Sequence, residues 1–396
     1  MRPTVGFILL CGVGFFAFIS YNLVRLPALA PFAESLGAGP VAVGFVVAAS
    51  TMTGVFLKLP MGVLSDILSR RKLMLGGVLA FALPPFVYPS ISDLDVLVVV
   101  RVVHGLATAI FTPLALAAVA AMYETQRGAA LGWYTSAAQG GALLGPVLGG
   151  WLVDTSGFSR TFETAGVFGL LALGLYGLIL RSAPLENQNR KEASTVVGDF
   201  LVGLRKVIRH SQMLATSLAE AAKMIANGAL MAFLPLYALS VGLTLAEGGI
   251  LFGAQGVTSF LSKPVMGRVS DRVGRRPLIV LGLVICGGTI AGIPQITHFP
   301  GLLLLAAGFG FGEAVVTSSS AALIADLSES GNLGAGMGLR GTIMDIGHAG
   351  GPILAGVLVA GISYTAAFAL IGVLQVLAAV AFVVVTPWRT AGQMVK

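Results

Sequence analysis

The side chains of this chain that could do chemistry are few, and most lie inside long apolar stretches. Glu220, Lys223 and Asn227 follow one another at helical-turn spacing, Glu313 stands next to Gly312 with no charged residue nearby, and Asp345 lies three residues before His348 and five after Arg340. Arg101 and His104 are another pair three apart, in a stretch without an acid. A charge in hydrocarbon costs about 2.5–3.5 kcal/mol on insertion scales, so each such group either faces a path through the membrane or is paired. A carboxylate or an imidazole there can take up and release a proton, imidazole having an unperturbed pKa of about 6.5. Asp345 and His348 share a helical face and suit proton exchange best, or else form a hydrogen-bonded pair that locks their helix. Glu313 suits contact with a substrate cation or carriage of a proton. Glu220 and Lys223 at i, i+3 neutralise each other and either brace the fold or line a cavity with Asn227. Arg101 either faces a cavity or reaches toward the outer interface.

Several classes of chemistry are excluded. Cys11 and Cys286 both sit in apolar stretches without other Cys or His around them, so neither a disulfide framework nor a metal site is expected. No Gly-x-x-x-x-Gly-Lys-Ser/Thr phosphate loop occurs, which points to gradients rather than ATP as the energy source. The net charge of +7 is spread over short bridges between apolar runs instead of a patch interleaved with aromatics, so nucleic acid is not the expected partner. No cofactor and no enzymatic activity are expected.

Membrane helices must position these groups. Of 396 residues 56% are hydrophobic and 10% charged, where a soluble domain carries about 25% charge. Apolar runs at 5–26, 41–63, 73–91, 96–122, 129–152, 162–180, 212–239, 245–264, 277–297, 301–325, 334–360 and 363–386 predict twelve spans of an all-α membrane protein. The first run lacks a small-residue cleavage site and is expected to stay as a helix. The polar segment between the sixth and seventh runs divides the chain into a six-helix bundle at 1–181, a linker at 182–211 and a second bundle at 212–396. Arg70, Arg71, Lys72, Arg127, Arg268, Arg272, Arg275, Arg276 and the basic linker fall on one side, with only Arg160 in a loop opposite, which predicts cytoplasmic termini.

The chain also repeats itself. Met61-Gly62 to Asp66 with Arg70-Arg71 recurs 205 residues later as Met266-Gly267 to Asp271 with Arg275-Arg276, and Asn22 with Asn227 and Lys58 with Lys263 keep the same offset. Gly145-Pro146 with Gly150 recurs as Gly351-Pro352 with Gly356. Two pseudo-symmetric halves follow, with a binding cavity expected between them at mid-membrane and Asn22, Glu220, Lys223, Asn227 and Arg340 as its candidate lining.

Gly62-x-Leu64-x-Asp66-x-x-x-Arg70-Arg71 and its cleaner copy at Gly267, Asp271, Arg275 and Arg276 resemble the signature loop of the major facilitator superfamily. Ile67 and Ser69 depart from the usual Arg and Gly. Glu124-x-x-Arg127 resembles the element that latches this loop as a cytoplasmic gate, or else anchors topology. Gly141-x-x-x-Gly145-Pro146-x-x-Gly149-Gly150 resembles the motif of twelve-span drug:proton antiporters, and its echo at Gly351-Pro352 also reads as helix packing. Arg101-x-x-His104-Gly105 resembles the family's Arg-x-x-Gln-Gly element, which makes Arg101 a controller of proton binding, with His104 either joining the exchange or replacing Gln as a hydrogen bonder. The first half holds no acid well inside a span, unlike many drug exporters, so the expected proton sites are Asp345, His348 and Glu313.

The resemblance implies the major facilitator fold and a monomer in a bacterial inner membrane that exports small amphipathic or drug-like molecules against protons by rocker-switch alternating access. The alternative is a facilitator or proton symporter for a sugar or organic acid, with Arg101 and Arg340 on a carboxylate.

Overall fold

A computed structural model describes residues 4–67, 69–123, 125–182, 210–328 and 333–386. All regular structure among them is helical: α1 (Val5–Leu23), α2 (Leu29–Ser35), α3 (Pro40–Ile67), α4 (Arg70–Ala82), α5 (Leu94–Met122), α6 (Arg127–Ser182), α7 (Ser211–Ser240), α8 (Leu245–Val273), α9 (Arg275–Gly292), α10 (Phe299–Leu327), α11 (Leu333–Gly361) and α12 (Tyr364–Val385).

Local chemistry sets the ends. Thr4, Asp93, His298 and Ser363 cap α1, α5, α10 and α12, each accepting from a backbone N–H of the first turn. Pro84 and Pro85 end α4, and Gly274, at φ 103°, makes the turn into α9. Leu26, at φ −136° and ψ 127°, interrupts the first span ahead of Pro27, and the helix resumes to Ser35, further than the apolar run suggested.

Ten of the described helical stretches are long and apolar enough to cross a membrane. One, Arg127–Arg181, has 55 residues. That is about 80 Å of helix at 1.5 Å per residue, against about 30 Å of hydrocarbon, so it holds two crossings. The turn between them is Gly157, at φ 78° and ψ 174°, within the loop expected to separate the fifth and sixth runs. α8 has the length, at 29 residues, but carries Glu247, Lys263, Arg268, Asp271 and Arg272. With α8 and the two crossings of α6, the twelve expected spans are all present.

The described residues fall into two densely packed units, one drawn from 1–197 with 231–253, the other from 198–230 with 254–396. α7 and α8 each divide between them: the last turns of α7 and the first of α8 pack with the first unit. The first core centres on Phe81, Phe111, Leu114, Tyr134 and Tyr176, the second on Ile279, Leu283, Val316 and Phe382. Exposure follows composition. α12, without a charged residue, has 33% of its spanning window buried, whereas α7, bearing Glu220, Lys223 and Asn227, has 78%. Hydrocarbon solvates the first and not the second, so the polar helix goes inside.

Candidate functional site

In the second unit, three helices converge on one carboxylate. Glu220 on α7 lies 3.0 Å from Lys223 Nζ one turn on, and 3.3 Å from Arg340 Nη2 on α11. Thr317 on α10 donates to Glu220 Oε1 at 3.0 Å and accepts from Lys223 at 2.9 Å, while Ser320 donates to Oε2. Glu220 and Lys223 are fully buried and Arg340 nearly so. Two cations and one anion give a network of net charge +1, with the carboxylate neutralised and bonded on both oxygens. Asn227 continues the stripe half-buried.

One turn before Thr317 on the same face of α10 stands Glu313, half-buried and without a hydrogen bond or ion pair among the described residues. On α11, Asp345 and His348 are both half-buried, one turn apart. The oxygens of Glu220 are held by Lys223, Arg340, Thr317 and Ser320, and Glu313 is not among these partners.

In the first unit, Gly105 sets the geometry. A Cβ there would meet the backbone of Ser50 on α3 at 2.5 and 2.8 Å, so only glycine lets α5 come this close. Arg101, one turn earlier, then reaches across to α3, donating to Ser50 Oγ, to Val46 O at 3.4 Å and to the Tyr88 hydroxyl at 3.4 Å. It is fully buried rather than extended toward the interface, and all three partners are neutral. Tyr88 also bonds His104 Nδ1 at 3.1 Å, and the Tyr21 ring packs edge-on to His104 at 4.9 Å. Arg101 and His104 thus share Tyr88 rather than a carboxylate.

Beside this network lies a cavity of about 300 Å³ lined by Phe18, Tyr21, Asn22, Arg25, Ser50 and Thr51, among others. Asn22 donates to Phe18 O at 2.9 Å, and Arg25 donates to Thr51 Oγ1 at 3.0 Å with its guanidinium 5.6 Å from the Tyr21 ring centre. Arg25, Ser50 and Thr51 were not singled out from the sequence. The signal available was a cation one helical turn from the Tyr21–Asn22 pair, which a count of acids overlooks.

The glycine motif is a packing face. Gly141, Gly145 and Gly149 lie against the α1 backbone at Phe15, Asn22 and Leu23. Its echo does the same in the second unit, where Gly347 and Gly351 lie against α7 at Ala221 and Ile225. Past that shared pattern the first copy has further contacts: Gly150 faces Leu245 O and Gly249 faces Pro146 O, while Asp154 on α6 accepts from the N–H groups of Leu245 at 3.2 Å and Ala246 at 2.6 Å. A carboxylate there caps the positive end of α8.

Of the expected gate, the surroundings of Gly62, the side chain of Asp66 and the whole of Glu124 lie outside the described residues. Arg70 and Arg71 open α4 half-buried, with Tyr176 donating to Arg71 O at 3.0 Å, and Arg127 opens α6 exposed. The second copy is a closed cluster. Arg275 binds Asp271 on its own turn and Asp326 at the end of α10, the latter at 3.1 Å, and Arg276 donates to Gln212 at 3.2 Å. Gly267 lies one turn before Asp271 with nothing near its Cβ position. Asp326 was missed because it stands outside the motif's own spacing.

The sequence profile of the Major Facilitator Superfamily matches residues 10–238 and 216–394. An uncharacterised MFS-type transporter of Methanocaldococcus jannaschii is 24% identical over 86% of each chain, and multidrug resistance protein 1 of Bacillus subtilis is 25% identical over 87% of each. Among solved structures, the nucleoside transporter NupG superposes with a TM-score of 0.77 at 16% identity, covering 96% of this chain and 100% of that one.

Proposed function

The chain belongs to the major facilitator superfamily, and from that premise we propose that it is a proton-coupled exporter of small amphipathic molecules that works by alternating access, in a bacterial inner membrane with both termini cytoplasmic. It is an integral membrane transporter of small molecules and not an enzyme. The observation that carries the export reading is the glycine face Gly141–Gly145–Gly149 on α1, with Pro146 and Gly150 against the start of α8. Such a seam of small residues lets two helices pack tightly. Relatives named for multidrug resistance support the direction of transport.

Coupling is assigned to Asp345 with His348, and to Glu313, with Arg101 and His104 in support. A proton site must exchange its proton, and Glu220 is held by two cations and two hydroxyls, which suits it to bracing α7, α10 and α11. The test is transport by proteoliposomes of the full chain under an imposed pH gradient. Wild type should move a fluorescent amphipath uphill, and Asp345→Asn should lose uphill transport while keeping downhill exchange. Uphill transport by Asp345→Asn with unchanged pH dependence would remove Asp345 from the mechanism. The second reading, a carrier for a polar metabolite, is favoured by the polar lining around Arg25 and by the likeness in fold to a nucleoside transporter. Gradient-independent equilibration of a nucleoside or sugar, with no uphill movement of any amphipath, would establish it.

A further inference from the structure

The cavity of the first unit has one corner that offers only donors. Ser50 Oγ accepts from Arg101 and, at 3.1 Å, from the Tyr21 hydroxyl, so both its lone pairs are taken and its own proton has no acceptor among the described residues. Thr51 Oγ1 accepts from Arg25 and likewise keeps a proton to give. Arg25 adds guanidinium N–H groups beside them, and Arg101 places a second positive charge directly behind Ser50. Among the described residues no carboxylate lines this cavity, and acids of the unit such as Glu34 and Asp93 stand at helix ends. Buried donors are costly without acceptors, and a buried guanidinium with neutral partners favours any anion brought near it. Phe18 and the Tyr21 ring supply apolar surface in the same lining.

We propose that Arg25, Ser50 and Thr51 bind an oxyanion head group, so that the molecules this transporter exports are amphipathic acids whose apolar part lies along Phe18 and Tyr21. The substrate class rests on the exporter reading; the oxyanion site does not. A planar carboxylate and a tetrahedral phosphonate both offer the required acceptors, and a cavity of about 300 Å³ admits a single ring with either.

The test is binding to the purified full chain, by thermal shift titration, of four ligands that share one ring: benzoate, phenylphosphonate, benzamide and benzylamine. Benzoate or phenylphosphonate should bind at least about tenfold tighter than benzamide, the worth of one charge-assisted hydrogen bond, and benzylamine should bind weakest. The stronger of the two acids distinguishes carboxylate from phosphonate. Arg25→Gln and Thr51→Val should each erase the preference, and Arg25→Lys should restore part of it. Equal binding of benzoate and benzamide by wild type overturns the proposal, as does a preference that survives Arg25→Gln. Should the variants not fold, the head-group comparison on wild type decides alone. A retained acid preference in a protein whose proteoliposomes extrude none of the four under a pH gradient would instead count against the exporter reading and leave the site standing.

Discussion

At the scale of single residues, the deciding quantity is how many partners a buried charge keeps. Glu220 is the only anion in contact with Lys223 and Arg340 among the described residues, so Glu220→Gln strands two cations in the interior. Removing one member of a buried pair typically costs about 3–5 kcal/mol. Lys223→Met should cost clearly less, because Glu220 keeps Arg340, Thr317 and Ser320. Melting of the purified variants followed by tryptophan fluorescence checks the order; an unchanged midpoint for Glu220→Gln would mean that the network does not brace the unit. The i, i+3 spacing made the Glu220–Lys223 pair legible in the sequence. Thr317, Ser320 and Arg340 were not legible as its partners, since they lie about a hundred residues on and nothing local in a helix encodes which neighbour it faces. Arg101 is the converse case. Its cost in hydrocarbon was plain, but its relief by a serine, a tyrosine and a carbonyl follows from Gly105 opening the way to α3, which only the packing reveals.

At the scale of helices, the two glycine faces argue for a duplicated packing unit. A Cβ on Gly141 would fall on Phe15 O and one on Gly351 on Ile225 O, whereas one on Gly174, on the exposed side of α6, would meet nothing within 4 Å. Gly141→Ala and Gly351→Ala must therefore push α6 from α1 and α11 from α7, an overpacking cost of about 1–3 kcal/mol each. Gly174→Ala should be neutral or gain up to about 1 kcal/mol from helix propensity. Thermal melts of the three variants in one detergent test this, and equal effects at all three positions would rule out tight crossing as the reason for the motif. Helix existence and type were readable throughout, because twenty-residue apolar runs leave little choice in a bilayer. Boundaries were less so: α8 runs to Val273, past the end of the apolar run at 264, because Arg268, Asp271 and Arg272 continue the helix into water. The apolar runs of α6 looked like two helices, and Gly157 is the one residue that bends it.

At the scale of the whole molecule, the twelve-span duplicated fold was visible from repeats and charge asymmetry, but the grouping of the last turns of α7 and the first turns of α8 with the first repeat was not, because no repeat or motif marks that contact. It is built from Asp154 capping α8 at Leu245 and Ala246, from Gly150 against Leu245, and from Gly249 and Gly253 against Pro146 and Val147. These contacts lie where the first crossing of α6 ends, just before Gly157. Under the alternating-access reading proposed above, these contacts part once per cycle, because one repeat contributes α6 and the other α8. Each contact is individually modest, a helix-end carboxylate being worth about 0.3–1 kcal/mol, which suits a seam that closes and reopens. Joining it covalently should therefore stop turnover. In a background with Cys11→Ser and Cys286→Ala, the Val147→Cys and Gly253→Cys pair can form a disulfide, since a Cβ on Gly253 would lie 2.9 Å from a Val147 methyl. Oxidation of the proteoliposomes should abolish transport of the fluorescent amphipath, and reduction should restore it, while binding of benzoate at the Arg25 corner persists. Full flux through the oxidised protein, with the crosslink verified by mass, would mean that this seam never opens and that access changes at some other place in the fold.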